Sequence, residues 1–472
     1  MKALSLLLAL ALTIVSCNPN KESAVSKCDF ATILPPADAR CGYITVPENH
    51  EAPEGRKIQI AYVVLEARDS SAHADPVIYL SGGPGGSALD PARISRWYGH
   101  PFREKRDVIL LDQRGIGYSS ALPNMYEELF EVMAADATEE EELKMIEKLM
   151  SDYSTRCADL QIDLRNYNTF QNARDVGALM THLGYEQYNL YGVSYGTRLA
   201  RVVQDMFPAQ LNSVILNSPN PIKGDMLVDR LQSYSLALSR VFEYCENNPD
   251  CKSANPALHE DYLRAINNLK EKPLELKTEG KTVYLNAQDG LFFVRRLLYG
   301  TNSRTEIPAL IQEYLNGGGP IISELVADEY TPDYNFTMWF AVERHEMYDT
   351  SNQREVIDEV YASLPLFPAR LGLFDAVYLS LEKFHDSGVS EAKKIFQISD
   401  TPTLITVNQF DPVTPPENGH IMMERLTNGH LFVLDEGGHG GGDVDCRNSV
   451  MISFMNDPNG NLDASCLNVY KE

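Results

Sequence analysis

Gly192-Val-Ser-Tyr-Gly196 sets one serine between two glycines, directly after the apolar run Tyr188-Asn-Leu-Tyr191 and ahead of a helix-compatible stretch. A serine hydroxyl is a poor nucleophile at its free pKa, so a chain that uses one must hold it on a tight turn, beside a base and near oxyanion donors. Strand, G-x-S-x-G and helix are the sequence form of that turn, which makes Ser194 the candidate nucleophile. The pentapeptide alone is a common accident in a chain with 30 glycines, so its partners in order carry the assignment. In a sheet that feeds such a turn, an acid and then a histidine follow the serine. Asp411 lies just beyond an apolar run on a proline-containing loop, and His439 lies in the glycine-rich loop Gly437-Gly-His-Gly-Gly-Gly442 after the last such run. His439 would take the serine proton and return it to the leaving group, while Asp411 holds the ring tautomer and stabilises imidazolium. Singly, Asp411 reads as a turn residue and His439 as one of ten histidines; order and strand context select them jointly. Upstream, Ser81-Gly-Gly-Pro-Gly-Gly86 follows another apolar run, where the N–H groups of Gly83 and Tyr195 would form an oxyanion hole. A phosphate cradle is the competing reading of such a loop, but no Gly-Lys-Ser/Thr ending and no G-x-G-x-x-G spacing accompanies it.

These residues need strands to carry them. Apolar, β-rich runs lie near Cys41–Val46, Ile58–Leu65, Val77–Leu80, Val108–Leu111, Tyr188–Tyr191, Val214–Leu216, Leu404–Val407 and Leu431–Leu434. Helical periodicity separates several of them, most clearly over 168–183, so a mostly parallel sheet covered on both faces is expected. After Pro219 long helical stretches take over, and strand character returns only at Leu404. The domain plan is a lipoprotein signal peptide at 1–16, a tether at 17–40, the first part of an α/β core at 41–220, an inserted helical cap at 221–398 and the second part of the core at 399–472.

Met1-Lys2, the apolar run Ala3 to Val15 and a small-residue site before Cys17 have the order of an export signal, too short for a permanent span. Ile14-Val-Ser-Cys17 resembles a bacterial lipobox, so Cys17 is the expected lipidation site and the chain is expected to be exported and lipid-anchored to a bacterial membrane; an ordinary secretory signal is the alternative. Asn18 is compatible with outer-membrane sorting, and the periplasm is the other location. Export makes disulfides the default, and proximity suggests Cys28 with Cys41, Cys245 with Cys251 and Cys446 with Cys466, leaving Cys157 free. No C-x-x-C pair or Cys/His cluster suggests zinc, and the triad with its backbone donors implies no metal and no organic cofactor. With 66 acidic against 41 basic residues, a net charge of −25 argues against nucleic acid and anionic membrane surfaces as electrostatic partners. The sequence carries no mark of an oligomeric state.

Ser81-Gly-Gly-Pro-Gly-Gly86, Asp112-Gln-Arg-Gly-Ile-Gly-Tyr-Ser119, Gly192-Val-Ser-Tyr-Gly-Thr197 and the loops of Asp411 and His439 together resemble the α/β-hydrolase peptidases that include proline iminopeptidases and tripeptidyl aminopeptidases. The long cap and Cys-bearing tail are more similar to the exported tripeptidyl-aminopeptidase branch. The resemblance implies an α/β-hydrolase fold, cleavage near a free peptide N-terminus, peptides as substrates, and acidic cap residues that bind the substrate ammonium. Trp339-Phe-Ala-Val-Glu-Arg-His-Glu346 resembles the stretch carrying such a glutamate, which nominates Glu346 and, as a weaker match, Glu343; a helix face with solvated acids is the other reading. Two positions depart from the family: Arg344 and Pro123-Asn124 stand where cysteines are common, and a cationic Arg344 is placed to neutralise Glu346. His345-Glu346 begins like a zinc-binding helix, but position 349 is Asp, so the second histidine is absent.

The expected activity is therefore acyl transfer to Ser194 and hydrolysis, releasing single residues or short peptides from peptide N-termini. Ester or lactone hydrolysis on the same triad is the alternative, and a non-catalytic peptide-binding lipoprotein is a third reading that leaves the serine, acid and histidine unexplained.

Overall fold

Eight of the apolar runs pair into one sheet. In the computed structural model the described residues are 30, 39–69, 71, 75–135, 137–278, 281–328, 335–348, 353–435, 437–441 and 444–470. Strands β1 (Ala39–Pro47), β2 (Lys57–Leu65), β3 (Val77–Leu80), β4 (Val108–Leu111), β5 (Tyr188–Val193), β6 (Leu211–Asn217), β9 (Thr403–Asn408) and β10 (Gly429–Leu434) lie in the order β1-β2-β4-β3-β5-β6-β9-β10. Only β2 runs against its neighbours; every pairing from β4 to β10 is parallel. The inner parallel strands are buried on both sides, β4 and β9 at every residue, as expected where helices cover both faces, while the edge strand β10 is partly exposed. Period-two alternation sorts their side chains into two cores. Ile78, Leu80, Ile109, Leu111, Leu190 and Leu216 face one layer, and Val77, Val108, Leu110, Tyr191, Ile215 and Leu404 face the other.

Residues between β6 and β9 build the cap over the carboxyl ends of these strands. It is not wholly helical, as the sequence reading had it: β7 (Leu274–Thr278) and β8 (Lys281–Leu285) form an antiparallel hairpin within it. Nor is it built from one stretch of chain. The helix Glu139–Asp159, which precedes β5, also joins it: Gln288 donates to Glu142 at 2.8 Å, and Tyr153 stacks on Phe384 with ring centres 5.4 Å apart. The capping box of Thr138 and Glu141 starts that helix, and the Glu-rich first turn suits its N-terminal dipole.

Disulfides join Cys245 to Cys251 and Cys446 to Cys466. Cys157 is buried and free, its thiol pushed up by burial. Cys28 and Cys17 lie outside the described residues. Among the described residues no helix is long and apolar enough to cross a membrane.

Candidate active site

Ser194 directly follows β5 at φ +56° and ψ −124°, and the helix Tyr195–Met206 starts at the next residue. A non-glycine residue at positive φ is strained, and here the surroundings impose it: Ser194 N–H donates to Asn217 O at 2.9 Å, and the Thr197 hydroxyl donates to Ser194 O at 2.6 Å. Gly196 is required by close approach, since a Cβ there would sit 1.9 Å from Leu80 O on the neighbouring strand. The strand–turn–helix expected of a nucleophile elbow is therefore present with the serine at its tip.

Asp411 and His439 come from loops at the ends of β9 and β10. The His439 Nδ1 lies 2.8 Å and 3.0 Å from the two Asp411 carboxylate oxygens. Asp411 is fully buried and also accepts from the N–H groups of Val413 and Thr414 at 2.8 Å and from the Thr414 hydroxyl at 2.7 Å. Burial pushes its carboxyl up, but the His439 charge and these hydrogen bonds outweigh it and hold Asp411 below the usual carboxylate range. Because the carboxylate engages Nδ1, that nitrogen carries the proton and Nε2 is left as the basic one. The loop of His439 is seated by Asn408, which donates to Gly438 O at 2.8 Å, and a Cβ at Gly438 would lie 2.1 Å from Leu298 O of the cap. Thr414 is a member of this cluster that the sequence reading missed.

Ser194 and His439 line one cavity of about 560 Å³ between core and cap. Gly82, Gly83 and Gly86 form its wall on the core side, and Phe292, Arg295, Tyr299, Phe336, Trp339 and Phe374 contribute from the cap. Tyr126, Phe292, Phe336 and Phe374 are shared with a second, mostly apolar cavity of about 160 Å³, giving the site an apolar extension. The Tyr195 side chain is buried against Thr169 and Asn172, so this residue offers the site its backbone N–H at the start of a helix. The glycine loop is fixed from behind by the Asp112–Ser119 motif. Gln113 donates to Ser81 O at 2.9 Å, the Ser81 hydroxyl donates to Gly86 O at 2.7 Å, and Asp112 accepts from Ser87 Oγ at 2.8 Å and Leu89 N–H at 3.1 Å. Full burial raises the Asp112 carboxyl to about 6. Arg114 of the same motif makes a buried two-pronged pair with Asp175 at 2.8 Å and 2.7 Å.

The cap glutamates are placed differently from the expectation. Glu346 is fully buried and faces the helix Tyr195–Met206: it accepts from Thr169 N–H at 2.7 Å, Thr169 Oγ1 at 2.8 Å and Arg198 Nη1 at 3.0 Å. Burial raises its carboxyl despite these partners. Glu343, equally buried, lies 3.2 Å from Arg230 and 3.6 Å from Arg198. Neither glutamate lines the cavity of Ser194, so the two acids nominated as ammonium ligands are instead the anionic half of a buried cluster joining cap to core. The neutralising cation is also not Arg344, which turns away to donate to Ser387 O at 3.0 Å and to cover Tyr348. Residues two apart on a helix do not share a face, whereas Arg198 reaches Glu346 from another helix. His345 pairs with Ser387 at 3.0 Å, and among the described residues no group of His, Cys, Asp and Glu is arranged to hold a metal ion.

The tripeptidyl aminopeptidase of Streptomyces lividans is 30% identical over 193 residues, covering 39% of this chain and 36% of its own. Serine protease Hip1 of Mycobacterium tuberculosis is 25% identical over 238 residues, 47% of this chain and 44% of its own. The YuaR protein of Escherichia coli K12 is 21% identical over 432 residues, 84% of this chain and 81% of its own. The match to the aminopeptidase thus spans about a third of that relative's length. A family model described as the alpha/beta hydrolase fold matches residues 75–444, a stretch that holds β3 to β10 together with Ser194, Asp411 and His439. With that sheet order and that elbow, the chain belongs to the α/β-hydrolase fold family.

Proposed function

We propose that this protein is a serine peptidase that releases single residues or short peptides from the N-termini of small peptides, through an acyl-enzyme on Ser194. The observation that carries the reading is the joint placement of Ser194, at a strained elbow, and of His439, backed by Asp411, on one cavity. His439 Nε2 takes the Ser194 proton as Oγ attacks the scissile carbonyl, and Asp411 holds the resulting imidazolium. Backbone N–H groups at Gly83 and Tyr195 meet the oxyanion. His439 then gives its proton to the leaving amine, and a water activated by the same imidazole hydrolyses the ester. A cavity walled on one side by the cap suits chain ends and short peptides, and the relatives named as a tripeptidyl aminopeptidase and a serine protease agree with peptide substrates.

The test compares free with N-acetylated peptides by mass spectrometry, in wild type and Ser194→Ala. Loss of N-terminal fragments from free peptides alone, abolished in the variant, is the expected result. Cleavage of simple acyl esters with both peptide sets intact would replace it with the second reading, ester hydrolysis. One observation favours that second reading: among the described residues no carboxylate lines the Ser194 cavity to receive an ammonium.

Export and lipidation at Cys17 are also proposed. Support comes from the disulfides Cys245–Cys251 and Cys446–Cys466, which suit an oxidising compartment. Metabolic palmitate labelling that persists in Cys17→Ala would overturn this.

A further inference from the structure

The cavity of Ser194 has an unusual electrical character for a chain of net charge −25: Arg93, Arg230, Arg295 and Arg296 line it, and no Asp or Glu does among the described residues. Three of the four are accounted for. Arg230 pairs with Glu343, Arg93 leans on the glycine loop toward Ser87 O, and Arg296 has a partner of its own. Arg295 is different. It stands in the last turn of the helix Ala287–Leu297 and is only 7% exposed, yet no hydrogen bond or ion pair engages its guanidinium among the described residues. What holds it is aromatic: the Tyr299 ring centre lies 5.3 Å from Cζ and the Phe374 ring centre 5.7 Å. A guanidinium covered by rings keeps its N–H edge available in the ring-free directions, and such an edge matches a carboxylate in two-pronged fashion.

Burying a cation without a counter-ion costs free energy, which the fold recovers if a ligand brings the anion. Arg295 is also close to the chemistry. Tyr299, which covers it, meets the His439 ring edge-on with centres 5.3 Å apart. Two acids, Glu142 and Asp289, line the adjoining apolar cavity, and burial raises both, Asp289 to about 7.

We infer that Arg295 is a specificity residue that binds a carboxylate of the substrate, so that the peptides taken by this site are anionic ones, carrying either an acidic side chain or a free C-terminal carboxylate within reach of Ser194. This rests on the proposal that the site hydrolyses short peptides, and it adds which of them. It also accounts for a site without an ammonium-binding acid: the cavity is built to orient substrate by its negative end.

The experiment separates recognition from hydrolysis. Titration calorimetry with Ser194→Ala measures binding of two matched pairs, tetra-alanine with a free or an amidated C-terminus, and a C-amidated peptide with Glu or Gln at one position. The carboxylate member of at least one pair should bind about tenfold more tightly, the scale of a charge-assisted hydrogen bond, and which pair responds identifies the source of the carboxylate. In Ser194→Ala/Arg295→Gln that preference should fall to within about twofold, and Arg295→Lys should restore part of it. Equal binding within both pairs, no binding of any of the four, or a preference that survives Arg295→Gln would overturn the inference. Should Arg295→Gln fail to fold, the paired peptides and the Lys variant still decide. Hydrolysis by the wild-type chain is read separately: binding of the anionic peptides with no cleavage would sink the peptidase proposal and leave the role of Arg295 standing.

Discussion

Arg198 and Glu346 meet at 3.0 Å with neither side chain exposed, and through them the helix that follows Ser194 is clamped to the cap helix Phe336–Glu346. Thr169 adds two donors to the same carboxylate, and Arg198 also reaches Asn220 at 3.1 Å. Such a pair is a poor source of net stability but an expensive thing to break, because the surviving partner is left charged in the interior. Arg198→Met should therefore lower unfolding free energy by about 3–5 kcal/mol, and Glu346→Gln by less, since the amide still accepts from Thr169. The double variant Arg198→Met/Glu346→Gln should be closer to wild type than Arg198→Met alone. Urea denaturation of the three reads this. An unchanged midpoint for Glu346→Gln together with a large rise in KM for free peptides would instead return Glu346 to the ammonium-binding role.

Asp112 never enters the cavity, yet it holds the loop that does. Removing its acceptors in Asp112→Ala frees Ser87 and the N–H of Leu89 and loosens the glycine loop from behind. The effect should fall on kcat, on the order of a hundredfold as for loss of an oxyanion donor, with KM for a small ester changed far less. Asp112→Asn keeps one acceptor oxygen and should retain most of the activity. Equal kcat in both variants would separate this motif from the oxyanion loop.

The eight strands of the sheet were legible because each holds a run of β-branched and large apolar residues that gives way to polar or turn-forming ones, and a strand buried on both faces has little freedom to look otherwise. The placement of Ser194, Asp411 and His439 at the ends of strands was legible for a related reason: each sits just past such a run. The cap hairpin was not. Leu274–Thr278 alternates Leu with Glu and Lys, while Lys281–Leu285 ends in the unbroken run Val-Tyr-Leu; at five residues each they are too short to stand out from amphipathic helix on either side. Arg198, Arg230 and Arg295 were missed because an arginine within a helix reads as a solvated face, and only partners far away in sequence decide that Arg198 and Arg295 are buried and Arg230 half-buried. The same blindness made Glu343 and Glu346 look available to a ligand.

Thr414 supplies a smaller test of the triad. Its hydroxyl is one of several donors on Asp411, so Thr414→Val leaves the carboxylate with His439 and two N–H groups. Asp411 should move up toward the ordinary carboxylate value. A carboxyl depressed in the fold contributes stability above its unfolded pKa and loses it as pH falls through the folded value, so Thr414→Val should raise the pH midpoint of acid unfolding. Its kcat should fall modestly, about tenfold or less, against about 10⁴-fold for Asp411→Asn, in which the imidazole is held in the wrong tautomer. An acid midpoint unmoved by Thr414→Val would remove this hydroxyl from the account of Asp411.

Asp289 gives the opposite pH dependence. It closes the capping box of the helix that bears Arg295, accepting from Asn286 N–H at 2.9 Å, and burial lifts its carboxyl to about 7. Unfolded, it would release its proton near the usual carboxylate value, so between about pH 4 and 7 the folded chain binds the extra proton and stability falls as pH rises. This contribution is fully present below the unfolded pKa and gone above the folded one. Asp289→Asn removes the titration while keeping the acceptor, so the difference in melting temperature between variant and wild type should grow in the variant's favour from pH 4 to pH 8. One pKa unit corresponds to about 1.4 kcal/mol, so the whole excursion is on the order of a few kcal/mol. Comparing variant with wild type at each pH cancels the contrary slope of His100, His345 and His385, which burial lowers to about 4. A difference that stays flat across this range would mean that Asp289 is ionised in the fold, and the acid beyond the wall of the Arg295 cavity would then compete with substrate for that cation.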